Sequence, residues 1–525
     1  MNTTSHIANG IRRIWLPCSA IGVLLLAASV LAAQGTTRWT SNGRPTPQAR
    51  ATVAVMRGVS ARGLRPQDYG ATKLHEQVVA LTAAARPDSA AAARFDTALS
   101  TSLLRLLTHL HSGRVPPRGA NLQLPEAHGP TNFEAFVREV SVAVDVSAAI
   151  ARAEDRYAGY QGLVRALARY RVVAADTTLR ALAPLAAPIR QGASYADAVM
   201  LRRWLTALGD LPGGAATVPD SLAMLYDPAL AAATRRFQAR HGLDSSGTLG
   251  PATVSALAVP VSRRIQQIER ALERWRWLPD VPPARYAVVN IPAFRLYVFE
   301  DDTVAARPLM RMDVIVGRAY PGRRTPVFSA TMAQVVLRPY WDIPTSIARS
   351  ELLPRIRRDA RYLQREALEI VRGGDEGARI YAPTPRNLAR VATGSLRLRQ
   401  RPGAQNALGP AKFLFPNANN VYLHGTPSGG LFANVRRDFS HGCIRVADPA
   451  ALAELVLHGQ TKWDRRAIDS AMAGARPTRI QIARPVDVFI LYTTVVVDAD
   501  VVRFYPDIYG HDAALQRALD APSAR

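Results

Sequence analysis

The chain has 525 residues, 48% hydrophobic and 20% charged: room for about two to four domains, and too apolar for a disordered polymer. Its formal net charge of +25 is carried almost entirely by Arg. Codon usage or attraction to a polyanion would each account for that charge, but no DNA- or RNA-reading motif accompanies it, and nucleic acid is not an expected partner.

Arg12 and Arg13 precede an apolar run at 14–33 that ends in small residues. This reads as a secretory signal cleaved after Ala32 or Ala33, or as a retained membrane anchor, and places the chain in the periplasm or cell envelope. Cys18 lies inside that run, so cleavage leaves Cys443 as the sole cysteine. A lone thiol in a compartment where disulfides persist is either buried and inert or used in chemistry.

Residues 34–50 are polar with Gly and Pro and read as a linker. From 51 to 205 the chain is rich in Ala, Leu and Arg at helical spacing, as in 97–115 and 133–171, and is expected to be a helical scaffold. Residues 206–260 differ. A helix over 229–241 ends at Gly242, a Gly-rich turn follows, and Pro251 opens a second short helix. Phe237, Gln238, Gly242, Leu243, Gly247, Gly250, Thr253 and Leu257 resemble the pattern of a small three-helix peptidoglycan-binding domain; an ordinary helical hairpin with a Gly cap is the plain alternative. Residues 261–284 are an amphipathic connecting helix ended by Pro279.

Period-two alternation begins near 285 and predicts a mostly antiparallel β domain to 510. It is interrupted at 345–395 by a helical, then Pro/Gly-rich insertion of a size suited to a cap. Residues 511–525 are expected to be a tail. The fold class is therefore multidomain α+β: a helical scaffold, a three-helix domain, and a mostly β catalytic domain with a helical capping insertion.

The segment VYLHGTPSGGLFANVRRDFSHGCIRV (421–446) holds His424, His441 and Cys443. A free thiol is only a few per cent ionised at pH 7, and a nearby imidazole can convert it to a nucleophile. Gly442 permits a sharp turn, and the N–H groups of Gly442 and Cys443 are candidate oxyanion donors. Zinc ligation by the two histidines and the thiol is a competing reading, although a structural site wants four ligands. A papain-like arrangement would need a histidine downstream of the thiol, and His458 and His511 have no motif around them.

His424-Gly425-Thr426-Pro427, followed by Ser440-His441-Gly442-Cys443-Ile444-Arg445, resembles the signature of the YkuD-type L,D-transpeptidase domain. VNIPAFRLYVFE, VIVGR and RPYWDIP resemble strand motifs of its longer, YcbB-like subgroup. The resemblance implies Cys443 as nucleophile and His424 as base, with the Gly425 carbonyl orienting the histidine where many YcbB-like proteins carry Asp. It further implies that His441 shapes the oxyanion loop with local hydrogen bonds, that Ser440 stabilises the turn, and that Arg445 holds a substrate carboxylate or a loop carbonyl. Tyr422, on the His424 face, and Trp341 are candidate pocket walls. The implied partners are peptidoglycan tetrapeptide stems, as donor and acceptor, acted on by a monomer without cofactor or metal, and carbapenems are implied inactivators. Water or a lipoprotein lysine as acceptor would make a carboxypeptidase or an attachment enzyme instead. A wall-binding structural protein is the non-enzyme alternative.

Overall fold

A computed structural model describes residues 39–521, apart from 121, 125–127, 130, 155–156, 214–218, 220–222, 301–306, 360, 374–376 and 499. The expected signal or anchor at 14–33 lies outside these residues. Among those described, no helix is long and apolar enough to cross a membrane. Two compact units result: 39–57, 69–105 and 132–150 form the smaller, and the remaining described residues form the larger.

The smaller unit corrects the expected linker. Residues 39–50 are ordered because Asn42-Gly43, with φ of 51° and 72°, makes the left-handed turn that suits a tight hairpin between β1 (Thr40–Ser41) and β2 (Arg44–Pro45). Trp39 is fully buried; its backbone N–H donates to Asp96 (2.9 Å) and its indole N–H to Ser100 (2.9 Å). Also buried are Val53 and Met56 of α1 (Pro47–Gly58), Leu74 and Val78 of α2 (Ala71–Ala83), and Phe95 and Leu99 of α3 (Ser89–Ser112). The helical stretch expected from 133 breaks into α4 (Phe133–Val142), α5 (Val146–Ala151) and α6 (Ala158–Ala175). Asp145 starts the second by accepting the Ala148 N–H at 2.9 Å, as a helix N-cap does.

In the larger unit, α6, α7 (Ala198–Ala207), α8 (Pro228–Arg240), α9 (Pro251–Leu257) and α10 (Val261–Trp275) share one apolar core, including Leu163, Leu201, Phe237 and Leu272. The residues after 151 thus pack with the domains that follow them rather than with the rest of the expected scaffold. Gln238 explains much of the glycine-spaced pattern. Its amide donates to the Thr248 carbonyl (2.8 Å) and the Thr253 hydroxyl (3.0 Å) and accepts the Gly247 N–H (2.8 Å), and Gly247 takes φ +74°, a conformation that favours glycine.

The β domain is a closed sheet in the order β5-β14-β12-β11-β6-β15-β3-β4, with β4 pairing back to β5 and β13 flanking β5. These strands are β3 (Tyr286–Asn290), β4 (Arg295–Phe299), β5 (Met310–Gly317), β6 (Phe328–Leu337), β11 (Ala411–Leu414), β12 (Leu423–His424), β13 (Asp438–Ser440), β14 (Ile444–Val446) and β15 (Thr478–Leu491). Most pairs are antiparallel; β12–β14, β13–β5 and β15–β3 are parallel. Val289, Leu296, Val314, Val335, Phe413, Leu423, Ile444 and Val488 are among the side chains filling its core.

The insertion is not purely helical. A second sheet, β7-β10-β8-β9, combines β7 (Trp341–Asp342), β8 (Leu368–Arg372), β9 (Arg379–Tyr381) and β10 (Arg397–Gln400). It packs with α11 (Leu353–Arg358) and α12 (Pro385–Thr393) on a separate core of Ile343, Leu353, Ile356, Ile370, Val391 and Leu398. The short alternating stretches LEIVR and RIY were too brief to stand out from their Arg-rich surroundings. After β15 come β16 (Val495–Asp498), β17 (Val501–Phe504), and, in place of a tail, a helix at His511–Asp520. Asp512 on that helix pairs with Arg274 of α10 at 2.5 Å.

Candidate active site

Strand register brings the chemistry together. β12 and β14 run side by side in parallel, with Leu423 opposite Ile444 and His424 opposite Arg445. On the other side of β12, Lys412 of β11 faces His424. Because side chains alternate along a strand, Leu423 and Ile444 enter the core while Tyr422, His424, Lys412, Cys443 and Arg445 share the opposite face. The Ile444 N–H donates to the Tyr422 carbonyl at 3.1 Å, clamping the two strands beside the thiol.

His424 is 5% exposed. Its Nδ1 donates to the Gly425 carbonyl at 2.6 Å. An acceptor-only carbonyl assigns the proton to Nδ1 and leaves Nε2 as the basic nitrogen. A Cβ at Gly425 would lie 2.8 Å from Pro410 Cδ and 3.2 Å from Pro449 Cγ, so close packing gives a local reason for glycine here. Burial, then the neighbouring Arg445 cation, lowers the His424 pKa to about 3.

Cys443 is partly buried and free. Burial raises its pKa, partly opposed by hydrogen bonding to Tyr422 and by the Lys412 and Arg445 cations. The thiol donates to the Asn420 carbonyl at 3.8 Å rather than to His424. Both shifts favour the neutral thiol and neutral imidazole over a thiolate–imidazolium pair.

The oxyanion loop also differs from expectation. Gly442 adopts φ +121°, but its N–H is taken by the Ser440 hydroxyl at 3.1 Å, which itself donates to the Cys443 carbonyl at 2.5 Å. The Gly442 carbonyl accepts from Thr325 at 2.8 Å. That leaves the Cys443 N–H as the loop's candidate donor. His441 does not bond locally: its Nε2 meets Glu351 of the insertion at 2.7 Å, and Glu351 also pairs with Arg323 at 2.6 Å.

The insertion contributes a wall as well. Trp341 and Asp342 neighbour the Tyr422 hydroxyl, whose pKa is raised well above the ordinary value by burial and by Cys443. Arg445 is half-buried, its Nε–H without an acceptor among the described residues; burial and the Arg318 cation lower its pKa. Lys412 lies 4.0 Å above the Tyr422 ring. Sequence reasoning missed Lys412, Asn420, Thr325 and Glu351. Only Lys412 carried a signal, as a rare lysine two residues into a strand. Among the described residues Cys443, His424 and His441 do not converge as a metal-ligand set.

Three segments of the chain match known families. Residues 284–469 match the family described as "L,D-transpeptidase catalytic domain" (YkuD), 32–167 match "Scaffold domain", and 194–257 match "Putative peptidoglycan binding domain". A Haemophilus influenzae protein described as "Putative L,D-transpeptidase" is 29% identical over 264 residues, covering 50% of this chain and 51% of that protein. The chain thus matches about half the length of that curated relative. Two solved structures superpose poorly. One is a Clostridium acetobutylicum fused Zn-dependent amidase/peptidase/peptidoglycan-binding domain-containing protein, with 12% identity, 59% of this chain and 100% of that one covered, and TM-score 0.15. The other is a Bdellovibrio bacteriovorus protein, with 11% identity, 45% and 56% covered, and TM-score 0.14.

Proposed function

Since residues 284–469 match the YkuD family's L,D-transpeptidase catalytic domain, in a chain that also matches a scaffold domain and a peptidoglycan-binding domain, we propose that the protein is a cysteine-dependent L,D-transpeptidase of the cell envelope, forming 3→3 cross-links between peptidoglycan stems. The observation that carries this reading is the shared sheet face of Cys443 and His424, with His424 Nδ1 held by Gly425 so that Nε2 is the free base.

Acylation begins with proton transfer from the Cys443 thiol to His424 Nε2. The sulfur attacks the carbonyl of the third stem residue, normally meso-diaminopimelate, in a donor tetrapeptide. The Cys443 N–H supports the developing oxyanion. Collapse breaks the amide bond, the imidazolium protonates the departing D-Ala amine, and a thioester remains. The side-chain amine of an acceptor diaminopimelate then attacks the thioester, with His424 taking its proton, and the thiol is released. Arg445 offers its unpartnered Nε–H to a stem carboxylate, which would also offset the Arg445 cation that, after burial, lowers the His424 pKa.

The insertion, reaching the site through Trp341 and Glu351, is read as the cap that keeps water from the thioester, and its presence with the scaffold favours the YcbB-like arrangement. The test is incubation of the purified chain with disaccharide-tetrapeptide, followed by mass spectrometry. Cross-linked dimer lacking one D-Ala supports transpeptidation, whereas tripeptide alone points to carboxypeptidase action. A carbapenem adduct should form on wild type and not on Cys443→Ala; turnover by Cys443→Ala would refute the mechanism.

A further inference from the structure

Away from this site, three side chains from three separate segments of the larger unit converge. His111 lies in the last turn of α3, His128 in the loop that follows, and Asp280 beyond α10. His128 Nδ1 is 2.8 Å and His111 Nε2 3.5 Å from the same carboxylate oxygen of Asp280. The two rings are 4.3 Å apart, and one potential ligand atom from each residue falls within 4.8 Å of the others. All three line a cavity of about 290 Å³.

The far side of His128 points to how this cluster is used. Its Nε2 lies 2.7 Å from the Arg276 carbonyl, which can only accept, so the proton sits on Nε2. In the neutral ring Nδ1 then turns a lone pair toward a carboxylate oxygen that also can only accept. His111 Nε2 lies 3.5 Å from that same oxygen and 3.5 Å from the Thr131 hydroxyl; a cation between the three residues would take His128 Nδ1, His111 Nε2 and the Asp280 oxygen together as ligands. A backbone carbonyl on the distal nitrogen is also the outer support that metal-bound imidazoles ordinarily have. Arg152 and Glu154 also line the cavity, Glu154 paired with Arg62 at 2.9 Å.

We propose that His111, His128 and Asp280 form a divalent-cation site of the zinc class, pinning the end of α3, the loop after it and the segment beyond α10 to one another. Two imidazole nitrogens and one carboxylate oxygen suit zinc, with the cavity leaving room for a water as fourth ligand. The sequence reading weighed zinc only at His424, His441 and Cys443 and did not single out this trio, whose other two members lie 17 and 152 residues from His128.

The test uses the full chain without a histidine tag, titrated with Zn²⁺ alone, in wild type and in Cys443→Ser, which removes the thiol as a rival ligand. About one zinc per chain should survive gel filtration in both, and a hundredfold excess over Kd should raise the folding constant about 100-fold, read as a higher melting temperature. Cobalt in its place should give tetrahedral visible bands with no thiolate charge-transfer band. Asp280→Asn, at a side chain 44% exposed and so mild for folding, and His128→Ala should each abolish retention. Absence of zinc from Cys443→Ser, or retention undiminished in both Asp280→Asn and His128→Ala, would overturn the site.

Discussion

Glu351→Ala tests whether the insertion is latched to the reaction loop. Glu351 reaches both His441 of the SHGC segment (2.7 Å) and Arg323 (2.6 Å). Hydrogen bonds to a charged group are worth about 1.5–3 kcal/mol when well sheltered. Here the three side chains are 31%, 27% and 21% exposed, and solvent screening pulls the pair toward the value of a surface bridge, so about 1–2 kcal/mol is the reasonable sum. That corresponds to a roughly 5–30-fold shift toward an open insertion. Amide exchange of a peptide spanning 345–358 should accelerate by that factor, while exchange in β15 stays at its wild-type rate. Under the proposed reaction, hydrolysis should gain on transfer as water reaches the thioester. Exchange within twofold of wild type, or acceleration of β15 equal to that of 345–358, would refute the latch.

Three further perturbations bear on the same face. Ser440→Ala removes the partner of the Gly442 N–H and of the Cys443 carbonyl; it should cost about 1–3 kcal/mol, seen as a lower melting temperature, while a carbapenem adduct still forms on Cys443. Loss of the adduct at unchanged stability would instead make Ser440 a participant in the chemistry. Gly425→Ala drives a methyl to within 2.8 Å of Pro410, costing about 1–3 kcal/mol by overpacking and slowing acylation by displacing the carbonyl that holds His424; an unchanged acylation rate would contradict that orienting role. His424, lowered to about 3 when folded against about 6.5 unfolded, binds more protons in the unfolded chain between those values. Its contribution to stability is therefore full above pH 6.5 and falls as pH drops toward 3, by about 1.4 kcal/mol per unit. His511, lowered to about 4, and His241 act in the same direction, so the diagnostic is a shallower loss of melting temperature between pH 7 and 4.5 in His424→Gln than in wild type.

What could be read from sequence was whatever lay close along the chain. His424 and Cys443 stand 19 positions apart on neighbouring strands, and alternation alone places Tyr422 with them. The α8–α9 unit was legible for the same reason, because the bonds of Gln238 all close within 15 residues. Partners fixed by closure of the sheet were not. Glu351 lies 90 residues from His441, in a stretch whose Arg-rich helical pattern reads as solvent-facing. The Ser440 hydroxyl's claim on the Gly442 N–H depends on a φ that no composition rule supplies. Trp39 was lost to a linker because its polar neighbours outweighed one aromatic, although Asn42-Gly43 is a hairpin turn signal.

The manner in which the insertion joins the barrel has a consequence of its own. It leaves just after β6 through β7 and returns just before β11 through β10, and those two connectors are hydrogen-bonded to each other, with Trp341 opposite Gln400 and Asp342 opposite Arg399. Entry and exit are thus already tied off, so the barrel bears almost none of the entropy of closing the loop, whose cost in any case grows only slowly with length. With its own core, the segment is a cassette: a lineage could lengthen, shorten or exchange it without disturbing the strands that carry the thiol. Under the proposed reaction, choice of acceptor could then diverge by trading cassettes while the strands beside Cys443 and His424 stay as they are.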